Sequence, residues 1–209
     1  MIYPGVETVF RPLKEDETLR RLEEVHHFRR PYLLYVGNFK PHKEVPFLIH
    51  AYTRLSTFLK EKYQLVLAGP LDGDYGASLK REVEKEALSR RVVFTDYVEE
   101  EDLPSLYGGA ELFLFASSDE GFGFPPLEAM ACGVPVVATR SASLPEVIGE
   151  AGRLVGPGDV DVFSRAIEEL LNDDSERRRL AQRGLERVKQ FTVDRQAEQL
   201  LKSVEVLLR

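Results

Sequence analysis

The chain has 209 residues, 43% hydrophobic and 30% charged, which suits one domain able to bury a core without disulfides or metal. A single cysteine, Cys132, excludes an intrachain disulfide, and no apolar run approaches the ~20 residues needed to cross a bilayer. A formal charge of −7 argues against reliance on a nucleic-acid backbone, so no nucleic-acid partner is expected.

Residues 1–30 read as an extended entry segment followed by a charged helix, Glu15–Phe28, with no core of their own. Met1 to Glu7 lack the basic-then-apolar order of a signal peptide. With the lone cysteine this places the chain in the cytoplasm, peripheral attachment at the inner face of a membrane being left open. Tyr32–Val36 is the first strand, followed by a loop and a helical stretch carrying Leu48, Tyr52, Leu55 and Leu59. Gln64–Ala68 is the second, leading through Gly69-Pro70 to a helix around Leu79, Val83 and Ala87. Arg91–Thr95 is the third. The short helix after it opens with Glu99, Glu100, Glu101 and Asp102, acids that suit the positive end of a helix. Leu112–Ala116, Pro135–Thr139 and Arg153–Val155 complete six strands, with a helix through Glu128 and Met130 after the fourth. Beyond residue 159 the pattern is helical: Val160–Asn172, Ser175–Gln190, and a last helix from an N-capping Thr192 to Leu208. Strands apolar on both faces, alternating with helices, predict an α/β fold with a doubly wound parallel sheet. The basic run Arg177-Arg178-Arg179, with Arg183, Arg187 and Lys189 beyond it, reads as a solvated helix face.

Such sheets have the order 3-2-1-4-5-6 and bind ligands where it reverses, between the loops after strands one and four. The first loop is Gly37-Asn38-Phe39-Lys40-Pro41-His42-Lys43. Gly37 permits close backbone approach, and Lys43 sits just before a helix whose free N–H groups favour an anion. The second loop, Ser117–Pro126, has Gly121 and Gly123 for a backbone-lined turn and Pro125 at a helix start. From there the N–H groups of Leu127 and Glu128 are expected to point into the crevice. Glu120 and Glu128 are eight residues apart. On one continuous helix that would leave them ~12 Å apart and ~80° out of phase. They are not a close acid–base pair. Two separate acceptors suit two hydroxyl-rich parts of one long ligand with phosphates between. Plainer readings stand at this point: Glu120 as a helix cap, Glu128 as a solvated side chain.

Neither a P-loop nor Gly-x-Gly-x-x-Gly follows the first strand, so ordinary nucleoside triphosphate and dinucleotide sites are unsupported. Asp72-Gly73-Asp74 reads as a surface turn rather than a divalent-cation site. His42 lies beside the crevice, whereas His26, His27 and His50 lack metal-ligand spacing. Cys132 reads as a small buried residue rather than a nucleophile.

Tyr35-Val36-Gly37, Lys43, Leu67-Ala68-Gly69, Val93-Phe94 with Tyr97-Val98, and above all Glu120-Gly-Phe-Gly-Phe-Pro-Pro-Leu-Glu128-Ala-Met-Ala-Cys-Gly-Val-Pro-Val-Val resemble the donor-binding domain of retaining GT-B glycosyltransferases. The group is the large family four, with its glycogen synthase, sucrose synthase and lipopolysaccharide mannosyltransferase members. Leu144-Pro145-Glu146-Val147 and Gly152–Val155 are similar to it as well, and the resemblance covers residues 3–208. It implies a Rossmann-like half of the GT-B fold with C-terminal helices. In that scheme the Gly37 N–H and Lys43 hold the donor diphosphate. Asn38 stands where many members carry arginine, leaving more of the charge to Lys43. Glu128 binds the ribose, and Glu120 binds the donor sugar with backbone groups of Phe122, Gly123 and Phe124. Pro125 to Leu127 shape the phosphate site, while Tyr97, Val98 and Leu103 line the base pocket. The catalytic pair is Lys43, stabilising the departing diphosphate, and Glu120, positioning the sugar. No metal or other cofactor is implied; the substrate is a GDP- or UDP-linked sugar, with a lean toward GDP-mannose. The acceptor would be a hydroxyl of a sugar or lipid-linked glycan, and anomeric configuration would be retained.

Ile2–Pro12 resembles the interdomain linker of that group, so the chain is expected to begin where the second GT-B domain begins. The implied division is a linker and entry helix over 1–30, a donor-binding domain over 31–190, and a C-terminal helix over 191–209. That helix would pack toward a missing N-terminal domain or partner chain, leaving Leu200, Leu201 and Leu207 exposed. Two other functions stand beside this one: a non-catalytic nucleotide-sugar-binding module acting with a partner chain, and a sugar-nucleotide epimerase of GT-B type. The context of the two glutamates disfavours the epimerase.

Overall fold

Six short apolar runs set the architecture. They are β1 Tyr32–Val36, β2 Gln64–Ala68, β3 Val92–Asp96, β4 Leu112–Phe115, β5 Val136–Thr139 and β6 Arg153–Val155. The computed structural model describes residues 2–13, 17–71 and 73–207. All neighbouring strands run parallel in the order β3-β2-β1-β4-β5-β6, the order expected from the sequence. Every residue of β2, β4 and β5 is buried, because both faces of the sheet carry helices.

The helices are α1 Glu17–His26, α2 Val45–Arg54, α3 Thr57–Lys62, α4 Gly73–Lys85, α5 Leu103–Gly108, α6 Phe124–Ala131, α7 Leu144–Ile148, α8 Val160–Asn172, α9 Asp174–Val188 and α10 Val193–Leu207. Right-handed crossovers put α2 and α4 on one face and, after the reversal, α5 and α6 on the other. α2 packs on α4 and α8, while α5 packs on α1 and α6, and α6 on α9. The entry segment shares the common core: Leu19 and Leu22 of α1, and Phe28 just after it, are buried with the sheet.

The single helix expected over Leu48 to Leu59 is two. Leu55 turns extended, and the Ser56 hydroxyl caps α3 by accepting from the Leu59 N–H, so the apolar period continues across a real break. α9 begins one residue earlier than expected because Asp173 caps it, and the Thr192 hydroxyl accepts from the Arg195 N–H at 3.3 Å as an N-cap does. Glu15, Asp72, Leu208 and the Leu207 side chain lie outside the described residues; Gly73 and Asp74 open α4. The basic run is a helix face laced with acids, Arg179 pairing with Glu176 and Arg177 with Asp174 and Glu111.

The N-terminal segment is tied to the C-terminal one. Val6 pairs with Thr192 in an isolated parallel bridge and its N–H donates to Phe191 O at 2.8 Å. Gly5 and Tyr3 N–H groups reach the side-chain oxygens of Gln196 and Gln199 on α10.

Candidate functional site

The loops after β1 and β4 meet at the reversal of strand order. Ser118 N–H donates to His42 O at 2.8 Å, and the Ser117 hydroxyl reaches the same carbonyl at 3.2 Å. A short 3-10 turn, Pro41–Lys43, aims the lysine across the crevice. Lys43 Nζ lies 2.6 Å from Glu120 Oε2, and both side chains are mostly buried, exposing 16% and 12%. The ammonium also sits 5.6 Å from the centre of the Phe115 ring, under the loop. Lys43 and Glu120, from the loops after β1 and β4, therefore meet where the strand order reverses. Glu120 is not a helix cap: Gly123 holds the position before α6, with no side-chain cap bond.

Backbone donors are distributed differently from expectation. The Gly37 N–H is bonded to Ala68 O at 2.9 Å, the last rung of β1 on β2, so it cannot also hold a phosphate. Gly37 instead turns the chain at a φ of 154°, and its carbonyl passes where a Cβ on Gly69 would stand, 2.0 Å away. At the start of α6, Pro125 and Pro126 carry no N–H. Leu127 N–H goes to Gly123 O at 3.4 Å, and Glu128, four residues past Phe124, falls inside the helical ladder. The Leu127 and Glu128 donors expected in the crevice are thus engaged. Among the described residues, the N–H groups of Asn38, Phe122, Gly123 and Phe124 have no protein acceptor. The Ser143 hydroxyl holds the second loop by its carbonyls, donating to Phe122 O at 2.7 Å and Glu120 O at 3.1 Å.

Beside the first loop, Gly37, Asn38, Gly69, Val98 and Leu103 line a cavity of about 190 Å³, with Tyr97 half-exposed on its wall. Glu128 is not a solvated side chain. Its Oε2 accepts from the Tyr107 hydroxyl at 2.7 Å. Burial pushes its pKa above the ordinary glutamate value and the Tyr107 bond pulls it partly back, while Glu7 and Glu100 add to the rise. Tyr107 and Ser143 were not legible as site residues, because a hydroxyl's partner is set by tertiary contact and neither position stands out in pattern.

Cys132 is a buried thiol whose pKa is pushed up to about 12, chiefly by burial, which leaves it inert as a nucleophile. Among the described residues no group of three or more His, Cys, Asp or Glu is arranged to hold a metal ion. No helix among them is long and apolar enough to cross a membrane.

A family model described as Glycosyl transferases group 1 matches residues 20–187. The chain is 38% identical over 196 residues to the O-antigen chain mannosyltransferase B of Escherichia coli, covering 94% of this chain and 51% of that protein. Among solved structures, a sucrose-phosphate synthase from Thermosynechococcus elongatus superposes with a TM-score of 0.84 at 28% identity, over 98% of this chain and 51% of that one. The C-terminal domain of a glycosyl transferase group 1 family protein from Francisella tularensis superposes at 0.74 with 26% identity, over 88% of this chain and 97% of that chain. The chain thus spans about half the length of the Escherichia coli relative.

Proposed function

Because the chain belongs to the glycosyl transferases group 1 family, we propose that it is the donor-binding half of a retaining glycosyltransferase. The proposed reaction moves a hexose, mannose in the first instance, from a GDP- or UDP-linked donor to an acceptor hydroxyl. One observation carries the reading. A mostly buried ammonium, Lys43, stands against a carboxylate, Glu120, where two loops meet beside unengaged N–H groups.

In this reading the diphosphate lies between Lys43 and the Asn38 N–H, with the base in the cavity at Val98 and Leu103 and the ribose hydroxyls on Glu128. An arriving phosphate takes the place of Glu120 beside Lys43. The freed carboxylate then accepts hydroxyls of the donor sugar, which the N–H groups of Phe122 to Phe124 face from the other side. As the bond to the sugar breaks, negative charge grows on the leaving phosphate. A fixed ammonium in a water-poor crevice stabilises that charge more than it would in bulk water. The leaving phosphate oxygen takes the acceptor proton on the same face of the sugar, which retains configuration without a covalent enzyme intermediate. Glu120 positions and Lys43 neutralises; no resident metal ion or cofactor is invoked. The name of the Escherichia coli relative supports mannose. The acceptor, a sugar or lipid-linked glycan, is assigned to a second domain or partner chain.

Calorimetric titration with GDP, UDP, GDP-mannose and UDP-glucose tests the donor role. The chain is expected to bind a nucleoside diphosphate on its own and to transfer sugar only when the remaining half of the enzyme is supplied. Product NMR should then show the donor's anomeric configuration. Absence of any diphosphate binding would defeat the proposal, and an inverted product would defeat its retaining part.

A further inference from the structure

Tyr107 is fully buried, its ring 5.4 Å from that of Phe113 and 5.9 Å from that of Phe10. A phenylalanine would meet that packing, whereas a buried hydroxyl must find a partner. The partner is Glu128 Oε2, 2.7 Å away across the contact of α5 with α6. The other oxygen of that carboxylate, Oε1, has no hydrogen-bond partner among the described residues, and it is not sealed from solvent. The carboxylate is therefore gripped from the core side and open on the other.

We infer that Tyr107 is a positioning residue: its hydroxyl fixes the Glu128 carboxylate so that Oε1 is presented to the ribose hydroxyls of the donor. This rests on the reading of Glu128 as the ribose acceptor. α5 then ties two parts of donor recognition together, since Leu103 at its start lines the cavity assigned to the base and Tyr107 near its end orients the ribose acceptor. The charged and titratable neighbours fit the role. Glu7 from the N-terminal segment and Glu100 from the loop before α5 both raise the Glu128 pKa, and Cys132 at the end of α6 is a further neighbour. The Tyr107 bond opposes them and favours the ionised form, the better hydroxyl acceptor.

The test compares GDP and UDP with their 2′,3′-dideoxy forms by calorimetry on the 209-residue chain, as wild type, Y107F, E128A and the double variant. Wild type is expected to prefer the ribonucleotides. Y107F should reduce that preference about tenfold while leaving dideoxynucleotide affinity unchanged. Its ribonucleotide affinity should also begin to fall at a higher pH than in wild type. Adding Y107F to E128A should change nothing further. A preference that survives Y107F, or equal losses on both nucleotide forms, overturns the inference while leaving the ribose assignment standing. A wild type that does not distinguish the two forms overturns the ribose assignment itself. Independently of whether Y107F folds, the Tyr107 hydroxyl proton of wild type should shift in the NMR spectrum on binding GDP or UDP and not on binding the dideoxy forms. The same response to both forms, or to neither, counts against it.

Discussion

Lys43 and Glu120 neutralise each other across 2.6 Å in a largely buried setting, so removing either leaves the other without a counter-charge. K43A is expected to weaken nucleoside diphosphate binding by about 10- to 100-fold, the range of a charge-assisted hydrogen bond. Monophosphates should lose less than about threefold, since the assigned contact is to the phosphates near the sugar. Calorimetry on both series decides it; equal losses would remove Lys43 from the diphosphate. Glu128 has opposite consequences for fold and ligand. Its folded pKa is raised mainly by burial, so the folded chain holds the proton more tightly than the unfolded chain. The stability of the neutral form is present at low pH and lost as pH climbs from the ordinary glutamate value through the raised one. E128Q stays neutral and can still accept from Tyr107. Its urea midpoint should match that of wild type in acid and exceed it at neutral pH, while its ribonucleotide affinity falls. That Lys43 and Glu120 lie on facing loops was legible from the strand order, which puts the ends of β1 and β4 side by side. Which N–H groups are free was not, because Gly37 depends on its pairing with Ala68, a contact remote in sequence.

Elements decide how firmly the second loop is held. Phe122 sits among Tyr3, Phe124 and Phe191, with ring centres 6.4, 5.1 and 5.9 Å away. The Tyr3 hydroxyl donates to Glu146 on α7, and Arg187 on α9 donates to the Glu146 and Val147 carbonyls while lying 5.1 Å over the Phe191 ring. The N-terminal strap thus supports the loop bearing Glu120 from behind. Y3A is expected to lower the melting temperature, by less than the loss of a fully buried aromatic would. It should weaken nucleotide-sugar binding more than diphosphate binding, because the loop is the one assigned to the donor sugar. Y3F keeps the ring and should retain most of both. If Y3A lowers the melting temperature and leaves the ratio of the two affinities unchanged, the strap only stabilises. The strands were legible to within a residue because parallel, doubly covered strands are uninterrupted apolar runs. The break at Leu55-Ser56 was not, since apolar spacing continues through it and only the Ser56 cap marks the new start. The strap was equally hidden, being a contact between opposite ends of the sequence.

For the whole molecule, the order β3-β2-β1-β4-β5-β6 follows from six strands and right-handed crossovers, and the crevice follows from that order. The surface on which the other half of a longer enzyme would lie was expected on the C-terminal helix. α10 offers one: Val193, Leu200, Leu201 and Val204 are 50%, 47%, 65% and 51% exposed, at spacings that put them on one helical face. With the chain spanning about half of its Escherichia coli relative, we assign that stripe to the remaining half of the enzyme. A double substitution, L200E with L201E, separates docking from donor binding. Neither residue lies in the core, so the melting temperature should hold. Saturating GDP or UDP at about 100 times its Kd should still add about 2.7 kcal/mol of stability, seen as a rise of roughly 5–10 °C. Transfer in the presence of the separately supplied half should fall, with the loss recovered at higher concentrations of that half, as expected when only association is weakened. Loss of the nucleotide-induced rise would mean that α10 shapes the donor site itself, and unchanged transfer would mean that the second half docks elsewhere.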